Sequence, residues 1–87
     1  MSNEQIQNFF DKQHAKEEEV KIKFKKRTTL SGVFIAGNDY ADLKSKNFWR
    51  VVTSVHLEEW KQSKNINLSK IFNGNDFSSL ALAAKNN

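Results

Sequence analysis

The sequence predicts an α+β fold: a small antiparallel, barrel-like sheet of four to five strands with an N-terminal amphipathic helix and one or two short helices. Val20, Ile22 and Phe24 alternate with lysines, which is the period of a strand with one apolar and one cationic face. A second apolar run, with Gly32 inside it, follows after a short polar turn and completes a hairpin. Residues 3–16 instead repeat apolar side chains at the period of a helix.

The N-terminal helix is predicted over residues 3–16. Ser2 is a suitable N-cap, and Gln5, three residues later, completes a capping box. Phe9 and Phe10 lie on the apolar stripe and need a partner. The simplest partner is the sheet, and a contact with a second copy of the chain is the alternative.

Four strands are expected from apolar, aromatic and β-branched runs. They cover residues of about 20–25, 30–36, 48–53 and 66–72. The glycine inside the second strand predicts a bulge or a bend of the kind that a small barrel needs to close. Residues 55–63 are predicted as a short helix, although a third strand that continues to Leu57 fits the pattern as well.

Turn signals mark two further segments. Either Asn38 or Asp39 is a suitable cap for a short helical turn that runs through Leu43. The Asn-Gly dipeptide at 73–74 is the strongest short turn signal in the chain. Beyond it, Phe77 and Leu80 are spaced as on a helix, so a short final helix or turn is predicted.

Length and composition predict a single domain over residues 1–87. The chain has no cysteine, which excludes a disulfide framework and a thiolate metal site. Its first residues lack the apolar run of a signal peptide, and no stretch approaches the roughly 20 apolar residues of a membrane span. We therefore expect a cytoplasmic protein without a membrane partner.

The net charge of +4 is unevenly distributed. Residues 20–50 hold eight Lys or Arg against two acids, or +6, whereas residues 1–19 carry −3 and residues 51–87 carry +1. A positive segment of this kind is compatible with a polyanion partner such as nucleic acid. The alternative is a solvated strand face whose lysines keep a sheet edge from aggregating.

Residues for catalysis or metal binding form no recognisable pattern. His14 and His56 have no further ligand at metal spacing, and the adjacent carboxylates at 17–19 and 58–59 do not face each other on helices. The chain has no nucleophile elbow and no phosphate-binding glycine loop. We therefore expect a protein that is not an enzyme and that uses no metal and no cofactor.

Basic residues interleaved with aromatic rings are the remaining signal. Single-stranded nucleic acid is bound by cations that follow its phosphates and by rings that stack on its bases. Alternation along the third strand places Phe48 with Arg50 on one face and Trp49 on the other, so one of the two rings is a candidate for exposure. The alternative is that both rings are buried in a sheet that is covered on both sides. The predicted nucleic-acid-binding residues are Lys21, Lys23, Lys25, Lys26, Arg27, Lys44, Lys46, Trp49 and Arg50.

The helix, the lysine-bearing strand and the Leu-Ser-Gly-Val-Phe run at 30–34 resemble the opening of Sm-like proteins, in which a helix precedes a strongly bent small barrel. The predicted helix at 55–63 fits SH3-like barrels better, since these often carry a short helical turn before the last strand. The resemblance implies a small SH3/Sm-type barrel and no particular RNA-binding residue. The segments 47–50 (Asn-Phe-Trp-Arg) and 71–74 (Ile-Phe-Asn-Gly) also resemble a signature of a small bacterial family, which implies no function.

Two function hypotheses follow. The first is a non-catalytic module that binds RNA or single-stranded DNA through the basic strand face, by neutralising phosphates with limited base stacking. The second is a protein-interaction or self-association module. It would use the N-terminal helix or a sheet edge to bind a protein partner or to form a homo-oligomer.

Overall fold

The computed structural model describes residues 1–13 and 18–83. In this part of the chain three α-helices accompany five strands, with single 3₁₀ turns at Ser54–His56, Ile66–Leu68 and Gly74–Asp76. The helices are α1 (Asn3–Gln13), α2 (Tyr40–Ser45) and α3 (Leu57–Ser63). The strands are β1 (Glu19–Phe24), β2 (Leu30–Ile35), β3 (Phe48–Thr53), β4 (Lys70–Asn73) and β5 (Phe77–Leu82).

The five strands form one antiparallel sheet in the order β4-β3-β2-β1-β5. The first four strands form a meander, and β5 returns to pair with β1, with Val20 opposite Leu82 and Ile22 opposite Leu80. The sheet is not closed, because β4 and β5 are both edges of this order. The fold is therefore α+β with an open antiparallel sheet, and closure into a barrel is not shown.

The sheet is nevertheless strongly curved. Side chains that stood upright on a flat sheet would be about 14 Å apart on β1 and β4, since two strands lie between them. The ring centroids of Phe24 on β1 and Phe72 on β4 are only 5.8 Å apart. The inner face of the sheet therefore curls around its own side chains.

The inner face carries the hydrophobic core. Its buried members are Ile6, Val20, Ile22, Phe24, Trp49, Val51 and Phe77. Helix α1 covers this face, with its Ile6 fully buried and the ring of Phe10 packed edge-on against Phe34 at 4.8 Å. Phe9 packs against the same core. Phe9 and Phe10 thus pack against the sheet of the same chain, which is the first of the two expected partners.

Strand β3 is covered on both faces. Val51 and Val52 are adjacent in the strand and point to opposite faces, yet both are fully buried. Helix α3 contacts β3, and the 3₁₀ turn before it contacts β2. Residues 54–63 are helical in the structure, so the alternative of a third strand that continues to Leu57 is wrong.

Strands β1, β2 and β3 lie where the sequence predicts strands, to within one residue. The predicted fourth strand at 66–72 is only half right, because Ile66–Leu68 forms a 3₁₀ turn and β4 begins at Lys70. The side chain of Asn65 caps that turn by accepting a hydrogen bond from the backbone N–H of Asn67 at 3.0 Å. For the helix predicted over 3–16, residues 14–16 lie outside the described residues.

The prediction of a final helix or turn beyond Gly74 is wrong, because residues 77–82 form β5. Phe77 pairs with Phe24, whereas Ser79 pairs with Lys23, so β5 contains one extra residue at this point. This bulge lets Phe77 and Leu80, three residues apart, face the same side of the sheet. Their spacing imitates a helix because a bulged strand repeats locally at three residues.

Gly32 does not form the predicted bulge, since its register with both β1 and β3 is regular. A Cβ atom at this position would lie 2.5 Å from the backbone oxygen of Val52 and 2.8 Å from a methyl carbon of Val51. The glycine therefore permits a close approach between β2 and β3.

Candidate nucleic-acid interface

Five cations follow one another along β1 and the turn after it. Lys21 and Lys23 alternate with buried residues and point to the outer face, and Lys25, Lys26 and Arg27 occupy the turn. All five are exposed. We call these five residues the basic strip. They are the part of the predicted site that the structure brings together.

The strip does not protect a sheet edge. Charged residues often occupy edge strands because they discourage pairing with another chain. In the order β4-β3-β2-β1-β5, however, β1 has a neighbour on each side. The edge-protection alternative therefore does not apply to Lys21 and Lys23 in the folded sheet.

No ion pair among the described residues uses a cation of the strip. The pairs present join Lys46 to Asp42, Arg50 to Asp39, and His56 to Glu59. Glu19 lies at the start of β1, where its carboxylate accepts a hydrogen bond from the hydroxyl of Ser54 at 2.6 Å. The positive charge of the strip is thus available to an anionic partner.

Arg27 is held in place by two aromatic rings. Its guanidinium carbon lies 5.0 Å from the ring centroid of Phe24 and 5.8 Å from that of Phe72. An exposed cation–π contact contributes about 0.5–1 kcal/mol. The guanidinium is therefore oriented over the seam between β1 and β4 while its N–H groups stay at the surface.

A shallow groove of about 410 Å³ adjoins this guanidinium. We call it the Arg27 groove. Lys70 and Phe72 line it together with Arg27, the apolar residues Leu30 and Val55, and four residues that carry a hydroxyl group. The hydroxyl-bearing residues are Thr29, Ser31, Thr53 and Ser54. Cations and hydroxyls in one concave surface are the groups that proteins use to bind phosphate.

Lys70 and Phe72 were missed by the sequence reasoning. They belong to β4, whereas Arg27 lies in the turn after β1, and two strands separate β4 from β1 in the sheet order. Only the curvature of the sheet brings them together, and no local sequence pattern reports that curvature.

Arg50 is engaged elsewhere. Its Nη2 and Nε donate to the two carboxylate oxygens of Asp39 at 2.7 and 3.2 Å, and its Nη1 donates to Ser69 at 3.3 Å. The hydrogen bond from Arg50 holds the pKa of Asp39 below its usual value, and the same bond raises the pKa of Arg50. A bidentate pair of this kind fixes the loop before α2 to β3. The structure therefore does not bring Arg50 into the basic strip.

Trp49 cannot stack on a base in this structure. Only 3% of its surface is exposed, and its indole Nε1 donates to the side-chain oxygen of Asn47 at 2.8 Å. Alternation along β3 places it on the inner face beside Val51. The predicted binding role of Trp49 is incompatible with this burial.

The segments 47–50 and 71–74 lie beside each other in the fold. Phe48 lies opposite Asn73 in the β3–β4 ladder, and the backbone oxygen of Asn47 accepts a hydrogen bond from Gly74 at 2.7 Å. The side-chain amide of Asn47 also donates to the backbone oxygen of Met1 at 2.8 Å. Strand pairing and the hydrogen bonds of Asn47 therefore account for the contact between these two segments.

The two remaining predicted lysines lie away from the sheet, Lys44 on α2 and Lys46 directly after its end. Lys46 forms an i,i+4 ion pair with Asp42 at 3.5 Å, and Lys44 lies 5.9 Å from the ring centroid of Tyr40. Exposed pairs of this type contribute little stability. The structure does not show these lysines joining the basic strip.

The other functional expectations concern metals and membranes. His14 lies outside the described residues, and His56 lies 3.7 Å from a carboxylate oxygen of Glu59. Across residues 1–13 and 18–83, no group of three or more His, Cys, Asp or Glu side chains could hold a metal ion. No helix in the same two ranges is long and apolar enough to cross a membrane.

Comparison with known proteins found no match to any protein-family model, to any curated protein or to any solved structure.

Proposed function

We propose that this protein is a non-catalytic module that binds RNA or single-stranded DNA through the basic strip and the Arg27 groove. The observation that carries the proposal is the run of five exposed cations on β1 and its turn, none of which forms an ion pair among the described residues. Lys70 extends this run into the adjoining groove.

The binding mechanism is neutralisation of phosphates. Lys21 and Lys23 project from a strand that repeats at about 3.3 Å per residue, so successive lysines on one face lie about 7 Å apart. That spacing is close to the separation of successive phosphates in an extended single strand. Arg27 is already oriented by its two rings, which reduces the rotamer entropy lost on binding.

Base stacking makes a smaller contribution in this mechanism. Trp49 is buried, and Phe72 is the half-buried ring that lines the Arg27 groove. Affinity should therefore come mainly from phosphate contacts and depend little on base sequence.

The curled sheet is part of the proposal. We infer that it represents a half-open barrel of the SH3/Sm type, with the seam between β1 and β4 filled by side chains. The contact between Phe24 and Phe72 and the guanidinium of Arg27 over both rings support this interpretation. It places the Arg27 groove at the seam.

The test is a salt titration of binding to poly-U and poly-dT oligomers, measured by fluorescence anisotropy. Six phosphate contacts predict a slope of log K against log salt of about −4 for a single strand. Replacing Lys21, Lys23 and Lys25 with Gln should flatten the slope by about 2 and weaken binding at low salt at least about tenfold.

A control variant with the same net charge distinguishes the effect of the basic strip from the effect of net charge alone. The triple variant Lys12→Gln, Lys61→Gln and Lys64→Gln removes the same three charges from α1, α3 and the residue after α3. Its salt slope should stay close to that of the wild type. If both triple variants lose affinity equally, or neither does, the assignment to the basic strip is wrong.

Self-association through a sheet edge is the second candidate. The edge of β5 carries no charged side chain, and Leu82 remains 40% exposed there. Leu82→Lys should then convert an oligomer to a monomer in size-exclusion chromatography with light scattering. Phe9→Ser should lower stability instead, because Phe9 packs against the core. A monomeric wild type at high concentration rejects this candidate.

A further inference from the structure

The Arg27 groove and the lysines of β1 lie on opposite faces of the sheet. Lys70 and Phe72, which line the groove, pair with Val51 and Trp49 of β3. Residues directly opposite each other in an antiparallel pair point to the same face, so both belong to the inner face that carries the core. The lysines of β1 point to the outer face. Arg27 belongs to the basic strip and also lines the groove, so it connects the two faces at the end of β1.

The core closes the inner side of the groove. Trp49, opposite Phe72, is buried, and so is Phe24, whose ring centroid lies 5.8 Å from that of Phe72. A strand that follows the lysines of β1 and bends around the turn at Arg27 therefore cannot continue along the inner face. The groove is suited to the end of a bound strand.

Two cations of the groove are neighbours of one ring. The guanidinium carbon of Arg27 lies 5.8 Å from the ring centroid of Phe72, and Lys70 lies two residues before Phe72 on the same face of β4, about 7 Å along the strand. Thr53 lies diagonally across from Lys70 on this face, because Lys70 pairs with Val51. Within the described part of the chain, the hydroxyl of Thr53 makes no hydrogen bond. Two cations and a free hydroxyl are thus placed around one groove of about 410 Å³.

A terminal phosphate is the anion that these groups match. A phosphate monoester carries a charge of about −1.5 to −2 at pH 7 and three acceptor oxygens, whereas a phosphate inside a strand carries about one charge. Arg27 can donate two parallel N–H bonds to such a group, Lys70 supplies a second cation, and Thr53 supplies a further donor. Leu30 and Val55, of which Val55 is 83% exposed, offer apolar surface to the terminal sugar and base.

We propose that the Arg27 groove binds the phosphorylated end of an RNA strand or a single DNA strand, with the terminal phosphate on Arg27, Lys70 and Thr53. This inference rests on the proposed function, because the basic strip holds the internal phosphates of the same strand. It goes further in assigning the protein a preference for one chemical kind of strand end.

The experiment compares three forms of an oligo-dT strand of about eight nucleotides. One form carries a 5′-phosphate, one a 3′-phosphate, and one has hydroxyls at both ends. Each competes with a fluorescently labelled hydroxyl-ended strand at fixed ionic strength, and anisotropy reports the displacement. One phosphorylated form should bind about tenfold more tightly than the hydroxyl-ended strand. The two phosphorylated forms have equal charge, so equal gains for both would show non-specific attraction and overturn the inference.

The same titration separates this inference from the proposed function. If all three strands bind with equal, salt-dependent affinity, the proposed function stands and the end preference is refuted. If none of the strands binds, the proposed function fails and the end preference fails with it.

Variants test the assignment of the groove through the ratio of affinities for phosphorylated and hydroxyl-ended strands. Lys70→Gln and Thr53→Val should each lower this ratio at least about threefold. Thr28→Val is the matched control for Thr53→Val, because Thr28 is exposed and lies outside the groove lining. Lys61→Gln removes an equal charge from α3 and is the control for Lys70→Gln. Both controls should leave the ratio unchanged, and an equal fall of the ratio in Lys61→Gln and Lys70→Gln would refute the site.

Discussion

Asn47 joins three parts of the fold, and its replacement by Ala is expected to be severely destabilising. The residue is 8% exposed, and its backbone has a positive φ of 64°. Its side-chain oxygen accepts from the indole of Trp49, and its amide donates to the backbone oxygen of Met1 and to the side chain of Asn75 at 2.8 and 3.1 Å. The Ala variant removes all three hydrogen bonds and places a methyl group where the backbone is left-handed.

The expected loss is about 4 kcal/mol. Leaving the buried indole N–H of Trp49 without a partner costs about 2 kcal/mol. The partners of the amide can reach water, so their loss adds only about 1 kcal/mol. A left-handed backbone costs an alanine about 1 kcal/mol more than an asparagine. A domain of this length is stabilised by roughly 4–13 kcal/mol in total, so the variant lies near the limit of folding.

Urea unfolding followed by circular dichroism measures this loss, and thermal unfolding should show a midpoint lower by about 20 °C. Asn47→Gly is the matched control, because glycine tolerates the positive φ and also lacks the side chain. It should lose about 3 kcal/mol, and the difference from Asn47→Ala isolates the backbone contribution. An Ala variant within about 1 kcal/mol of the wild type, or one as stable as the Gly variant, would refute this reasoning.

Three further outcomes are expected in unfolding experiments. Because Arg50 holds the pKa of Asp39 below its usual 3.8, their pair stabilises the fold above about pH 4 and is lost as the pH falls through the lowered value. Asp39→Asn should therefore show a shallower acid dependence than the wild type in urea unfolding at several pH values. Gly32→Ala should cost about 2 kcal/mol because its Cβ would meet a backbone oxygen of β3 at 2.5 Å. Gly37→Ala should cost less in the same assay, since its Cβ would meet side-chain atoms, the Cδ1 of Ile66 at 2.6 Å and the Oδ1 of Asp39 at 3.3 Å, rather than backbone. Ile6→Ala, which empties a fully buried site under α1, should cost about 2–4 kcal/mol by thermal unfolding.

The sequence could predict those parts of the fold in which one period persists over several residues. Strand β1 is the clearest case, because Val20, Ile22 and Phe24 alternate without interruption and all three are buried. The failure at β5 has an equally local cause. A bulge beside Phe77 changed the spacing of the apolar residues from two to three, and no pattern distinguishes that spacing from a helical turn.

The candidate site likewise contains residues that a local sequence pattern predicts and residues that only the fold brings together. The basic strip could be predicted because its cations are neighbours in sequence and share the alternation of β1. The faces of β3 could be separated by alternation, but the buried face could not be chosen, since Val51 and Val52, on opposite faces, are both buried. Lys70 and Phe72 depend on the curvature of the whole sheet. The engagement of Arg50 by Asp39 depends on a loop contact that the spacing of the two residues does not reveal.

The pairing of β1 with β5 also has a consequence for synthesis of the chain. Val20 pairs with Leu82, so β1 leaves the ribosome 62 residues before its partner. At about 5–20 residues per second, this interval lasts about 3–12 seconds. A sheet of β1 to β4 that formed in this interval would have β1 as an edge strand, with Lys21 and Lys23 along its unpaired edge. Charge at such an edge discourages pairing with another nascent chain. Lys21 and Lys23, which face solvent in the folded protein, would thus discourage aggregation of the nascent chain until β5 is synthesised.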